Sequence, residues 1–122
     1  MSSLQESLRR FLAVDGIRTA ALIDIASGMI VRSVGKPSLG LPETAECVVG
    51  EARAARAALR PGGQAGDLRE ITTVTADRFQ VAKILQNQLG EGLLLFVDAD
   101  RSRSNLGLIM LRVEQLAPEV LA

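Results

Sequence analysis

Two stretches of this chain, Ala20-Ala21-Leu22-Ile23 and Leu93-Leu94-Leu95-Phe96-Val97, are apolar at consecutive positions rather than alternate ones. Successive side chains of a strand point to opposite faces of a sheet, so such runs fit strands that are covered on both sides. They predict a sheet sandwiched between helices. Ile17 to Ile25 reads as the strand holding the first run, and Met29 to Val34 as its neighbour. Ala26-Ser27-Gly28 between them is a tight connection whose glycine can take positive φ, so the pair predicts a hairpin. Its second strand carries Arg32 and Ser33 and ends in Gly35-Lys36-Pro37, the pattern of an edge. Glu70 to Ala76 and Arg78 to Leu85 read as a second hairpin, and Gln86 to Gly92 leads into the strand at 93–97.

Three segments carry the helical period instead. Ser3-x-x-Glu6 has the form of a capping box, Leu4, Leu8, Phe11 and Leu12 share one face, and Asp15-Gly16 stops the helix. The second begins at Pro42, runs through an alanine-rich stretch to Arg60, and ends at Pro61-Gly62-Gly63, ahead of a glycine-rich loop over 61–68. In the third, Leu106, Ile109, Met110, Val113 and Leu116 line one face, with a stop expected near Pro118. Before it, Asp98 to Asn105 is crowded with residues that cap helix starts.

Ranking the strands by how fully they are buried gives an order. The two apolar strands lie in the middle, which predicts a five-stranded antiparallel sheet of order 2-1-5-4-3. The fold class is α/β (α+β), with the long second helix on one face and the first and last helices on the other. At 122 residues without an internal repeat, the chain reads as a single domain over 1–122, with a core at about 4–117.

The third strand stands out within this layout. Ile71-Thr72-Thr73-Val74-Thr75 is β-prone, uncharged and free of proline. It lacks the lysine, proline or bulge that keeps an edge from pairing with another chain, so pairing with a second chain is expected. The long helix agrees with that. Ala45, Val48, Val49, Ala52, Ala55 and Leu59 mark one face, flanked by Ala54, Ala57 and Ala58, and such a low-relief surface can lie on a sheet and still meet a partner.

Composition narrows the function. Apolar residues make up 48% of the chain and mean hydropathy is +0.23, high for a small chain with three Phe and no Trp or Tyr, which again suggests an interface. Fourteen basic residues balance fourteen acidic ones. No general field draws the chain to nucleic acid or acidic lipid, and no aromatic platform is present for bases. Histidine is absent, which excludes Ser-His-Asp and Cys-His catalysis and the HExxH zinc site. The single Cys47 is expected as a buried or half-buried thiol in a reducing compartment. No stretch approaches the ~20 apolar residues of a membrane span. The first residues lack the features of a signal peptide, so a cytoplasmic location is expected.

Few residues suggest chemistry. Gly35-Lys36 faintly resembles a phosphate loop, but position 30 is Ile where the motif needs Gly, and Pro37 follows the lysine. Asp98 and Asp100, with Asp24 on the neighbouring strand, could offer oxygen ligands to a cation. Capping by Asp100, Ser102 or Ser104, and a turn cap by Asp24, account for the same residues and are the preferred readings. Neither a metal nor a cofactor is expected. Glu46, Arg53, Arg56 and Arg60 form either a recognition face or a solvated one.

The chain resembles Roadblock-family domains, which include dynein light chains and bacterial regulators of small GTPases. The likeness rests on Ala20-Ala21-Leu22-Ile23-Asp24-Ile25-Ala26-Ser27-Gly28, on Gly92-Leu93-Leu94-Leu95-Phe96-Val97-Asp98, and on Asp100-Arg101-Ser102-Arg103-Ser104-Asn105-Leu106-Gly107-Leu108. It spans roughly Leu4 to Leu116. The resemblance implies a non-enzymatic dimer, a homodimer or a mixed one, whose third strands pair and whose second helices pack together. It places the interface at Ile71, Thr72, Thr73, Val74 and Thr75, with Val48, Ala52, Ala55 and Leu59 from the helix. It also implies a Ras-like GTPase as partner, with Glu46, Arg53, Arg56 and Arg60 as the candidate contact. Two rivals are a structural scaffold with the same dimer and a PAS- or GAF-like ligand sensor. The dearth of aromatics and polar anchors speaks against the sensor.

Overall fold

The computed structural model describes residues 3–36, 40–59, 68–85 and 92–121. Helix α1 spans Leu4–Arg9 and tightens into a 3-10 turn at Arg10–Ala13. Ser3 starts it as expected, its Oγ accepting the Glu6 amide at 3.1 Å. Strands β1 (Ile17–Asp24) and β2 (Ile30–Gly35) form the first hairpin. Asp24 caps the turn: its Oδ2 accepts from the Ser27 amide at 3.1 Å and the Ser27 hydroxyl at 2.6 Å. Helix α2 follows at Leu41–Leu59, then β3 (Glu70–Val74), β4 (Arg78–Leu85), β5 (Leu93–Asp100) and α3 (Leu106–Val120).

The sheet order is β2-β1-β5-β4-β3, antiparallel throughout, as the burial ranking predicts. In the middle, Ala20 faces Val97 and Leu22 faces Leu95 across the β1–β5 ladder. Alternate residues feed two separate cores. Leu22, Val81, Leu95 and Val97 meet Leu8 and Phe11 of the first helical segment and Ile109 and Val113 of α3. On the other face Ala21, Ile23, Ala82, Leu94 and Phe96 meet Ala45, Val48, Val49 and Ala52 of α2. Each large side chain so buried contributes about 1.5–3 kcal/mol. This is the two-sided cover that the consecutive apolar runs demand.

Five expectations are corrected. Strand β5 runs on past Val97 to Asp100, because Ala99 is fully buried opposite Phe79 and the flanking carboxylates are met by arginines. The cap of α3 is therefore Asn105, whose side chain accepts the Leu108 amide at 3.1 Å, and not Asp100, Ser102 or Ser104. Nor does α3 stop at Pro118. Proline has no N–H to give the preceding turn, but Ala117 and Val120 are buried against the first core, and Ser7 Oγ donates to the Glu119 carbonyl at 3.3 Å. Arg10 also pairs with the Glu119 carboxylate. Those contacts hold the last turn in place.

The fourth correction concerns Cys47, which is exposed. A helix turns about 100° per residue, so the rotation that puts Ala45, Val48, Val49 and Ala52 on the sheet carries Cys47 outward. Strand β3 also ends sooner than Ala76. Thr75 is drawn into the turn, its Oγ1 accepting the Arg78 amide at 2.9 Å. Most of the expected 61–68 loop and of the Gln86–Gly92 connection lies outside the described residues.

Two glycines separate the cost of backbone conformation from that of space. Gly28 has φ +76° and an added Cβ would meet nothing within 4 Å, whereas Gly35 has φ +103° and its Cβ would sit 2.1 Å from the Arg18 carbonyl oxygen. Gly28→Ala is expected to cost about 1 kcal/mol, from φ alone. Gly35→Ala should cost at least ~2 kcal/mol, because β1 and β2 must also part. Urea unfolding checks the order: equal losses for the two variants would refute it.

Candidate functional site

The sheet has two ends, and they differ. At the β2 edge the pairing with β1 shifts register between Leu22 and Ile23, leaving Val31 without an opposite residue. That bulge, with Arg32 beside it, interrupts the edge. At the other end β3 pairs with β4 in unbroken register from Glu70↔Lys83 to Val74↔Phe79. Ile71, Thr72, Thr73 and Val74 all lie in this strand, and Thr75 directly follows it. Ile71 shares the α2 face of the sheet, packed against that core, and Val74 is 51% exposed. The expected edge residues are thus brought together on a regular outer strand that is uncharged after Glu70.

The α2 residues are placed differently. Val48 and Ala52 are buried against the chain's own sheet, Ala55 is half-buried, and Leu59 is exposed. The outward face instead carries Cys47, Gly50, Ala54, Ala57 and Ala58, and a Cβ added at Gly50 would meet nothing within 4 Å. These small residues recur at helical spacing. The sequence pattern reads Ala54, Ala57 and Ala58 as flanking the inward face and misses Cys47 and Gly50 as their neighbours on the outward one. The adjacent Val48-Val49 pair sets the inward phase and could have revealed them.

Of the charged candidates, Arg53 is engaged within the chain. Its guanidinium donates to the Ile25 carbonyl at 2.6 Å and also to the Ala26 carbonyl, tying α2 to the β1–β2 turn. Glu46 is exposed, Arg56 is half-buried, and Arg60 lies outside the described residues.

The densest set of polar side chains sits where the α2 cover of the sheet ends. On that face the apolar sequence Leu94, Phe96 gives way to Asp98 and Asp100. Arg78 Nη1 donates to Asp98 at 3.3 Å and to Asp100 at 3.1 Å, Arg18 Nη1 donates to the same Asp100 oxygen at 3.3 Å, and Gln80 reaches Asp98 at 3.4 Å. Burial pushes the Asp98 carboxyl above its usual range, against the lowering pull of Arg78, the Gln80 hydrogen bond and Arg18, while the Asp100 charge adds to the rise. Asp24 is not part of this group. Asp98 pairs with Thr19, five residues earlier on β1, which places Asp24 roughly 17 Å away at the strand rise. No group of acidic or thiol ligands suited to a metal occurs among the described residues. Gly35 closes β2, and the Lys36 amide donates to the Arg18 carbonyl at 3.1 Å, so this amide is bonded within the chain.

Neither a protein-family model nor a curated protein sequence matches the chain. Solved structures do. The gliding protein MglB from Thermus thermophilus is 27% identical over 98% of this chain and 85% of its own, with a TM-score of 0.78. A Roadblock/LC7 domain from Streptomyces avermitilis is 17% identical over 99% of this chain and the whole of its own, with a TM-score of 0.73. The fold is a Roadblock fold. A structure described as MglB with a tetrameric arrangement has a TM-score of 0.79 at 24% identity, over 96% of this chain and 84% of its own. Within this fold β3 lies at an edge of the sheet and α2 packs on one face, the placement that the burial ranking predicts.

Asp98 holds its proton more tightly in this Roadblock fold than in the unfolded chain. Its effect therefore favours folding at acid pH and is lost as pH rises through the raised value. Asp98→Asn removes the buried charge and keeps a hydrogen-bond acceptor. Relative to the parent, the variant is expected to gain stability between about pH 4 and pH 7. A relative loss over that range in urea unfolding would contradict the assignment.

Proposed function

We propose that this protein is a cytoplasmic, non-enzymatic adaptor that works as a homodimer and binds a small Ras-like GTPase. One observation carries the reading: the β3 edge is in unbroken register, uncharged from Ile71 to Val74 and long enough to pair, in a fold that matches MglB structures. Two copies related by a two-fold axis would join their β3 strands antiparallel, extending one sheet through both subunits. Each backbone hydrogen bond across the seam contributes about 0.5–1.5 kcal/mol. The same axis would bring the small outward faces of the two α2 helices together, with Gly50 and Ala54 allowing close approach. The partner class comes from the resemblance to bacterial Roadblock regulators.

The chemistry of the chain supports an adaptor. There is no histidine, and Asp98, whose carboxyl burial pushes up, is bonded to Arg78 and Gln80. Binding through shape and charge is what remains. No described helix is long and apolar enough to cross a membrane.

Val74→Lys puts a cation on the seam twice over, once from each copy. The dimer is expected to weaken by at least ~10-fold. Light scattering at low micromolar concentration measures this, and an unchanged mass would reject the seam. For the partner, calorimetry against a Ras-like GTPase encoded beside this chain should show a complex that depends on bound GTP. Binding indifferent to nucleotide would favour the scaffold reading, and absence of a complex would end the GTPase reading while leaving the dimer standing.

A further inference from the structure

Beside the Asp98–Asp100 cluster, where β1 begins and β2 and β5 end, lies an open cleft of about 730 Å³. We propose that this cleft docks an acidic segment of a partner protein. Three cations, Arg18, Lys36 and Arg103, line it against two carboxylates, Asp15 and Asp100. Asp100 is already committed, since one of its oxygens accepts from both Arg18 and Arg78. Lys36 and Arg103 are exposed, and neither side chain has a hydrogen-bond or ion-pair partner among the described residues. The chain as a whole is neutral, so the excess of positive charge is local to this wall and complements carboxylates.

Shape decides between a small anion and a length of chain. A bound small molecule usually has some 70–90% of its surface buried, and a cleft this open does not enclose one. A peptide laid along it needs contacts on one side only. Leu12 and Ile17 form an apolar patch of the lining, which suits an aliphatic side chain between acidic ones. Position matters as well. Sheet order puts three strand spacings, roughly 14 Å, between β1 and the β3 edge, so a dimer joined at β3 keeps one open cleft per subunit. The inference holds whether or not the partner is a GTPase.

Exposed ion pairs give weak, salt-sensitive binding, so the test reads location and charge dependence together. A fluorescein-labelled Glu-Glu-Leu-Glu-Glu-Leu peptide is titrated into the full-length protein by anisotropy, and an unlabelled copy by amide NMR. The expected result is saturable binding with shifts concentrated at Gly16, Arg18, Lys36 and Arg103. Affinity should fall ~10-fold in Lys36→Glu/Arg103→Glu, and less in Lys36→Gln/Arg103→Gln. Both pairs change exposed, unbonded side chains, and circular dichroism confirms that the fold is kept. Shifts scattered elsewhere, no binding, or an affinity indifferent to the double charge reversal would overturn the proposal. So would inorganic phosphate, or vesicles with about a third phosphatidylserine, shifting the same amides as strongly as the peptide does; that result would assign the cleft to phosphate-bearing ligands. Failure here leaves the β3 dimer and its partner untouched, because neither depends on Lys36 or Arg103.

Discussion

The structure depends on the burial of two adjacent strands on both of their faces. β1 and β5 pair along their length, and their side chains alternate between two cores. A sheet whose centre is apolar on each side must be covered twice, and three helices among the described residues supply that cover. The long α2 takes one face alone. The shorter α1 and α3 share the other, linked by Arg10 to Glu119 and by Ser7 to the Glu119 carbonyl. Pro118 stays within α3 because the buried Ala117 and Val120 outweigh one missing backbone donor.

The extent of the α2 cover explains the polar end of the sheet. Along one face of β5 the residues run Leu94, Phe96, Asp98, Asp100, and along β4 they run Ile84, Ala82, Gln80, Arg78. The change from apolar to ionic falls at the same height on both strands. Buried carboxylates beyond the helix are tolerable only with charged hydrogen-bonding partners, which Arg78, Arg18 and Gln80 provide. Among the described residues no buried side-chain polar atom lacks a partner. The cluster is therefore explained as structure before any function is assigned to it. Lys36 and Arg103 beside it, two cations against the single carboxylate of Asp15, have no such explanation, and that contrast singles out the cleft.

The edges of the sheet express the same economy. Antiparallel sheets that do not close into a barrel leave two outer strands, each with unpaired backbone groups. β2 interrupts its edge with a bulge, while β3 keeps an unbroken register and is uncharged between Ile71 and Val74. In a Roadblock fold with these two unlike edges, the proposed association through β3 uses the strand without a bulge, and the small outward residues of α2 are what a second copy would meet in that proposal.

The order of strands, the two-sided core and the open third strand were legible in the amino-acid sequence. All three follow from one-dimensional patterns: consecutive apolar runs, turn residues between them, and the absence of charge from Ile71 to Thr75. Asp24 as a turn cap was legible for the same reason, since its partner Ser27 is three residues away. What only the tertiary structure decided depends on groups distant in the chain. Asp98 and Asp100 read as helix caps because Arg18 and Arg78, which hold them in β5, come from other strands. Arg53 read as a surface charge because the carbonyls of Ile25 and Ala26 reach it only once α2 lies over the hairpin.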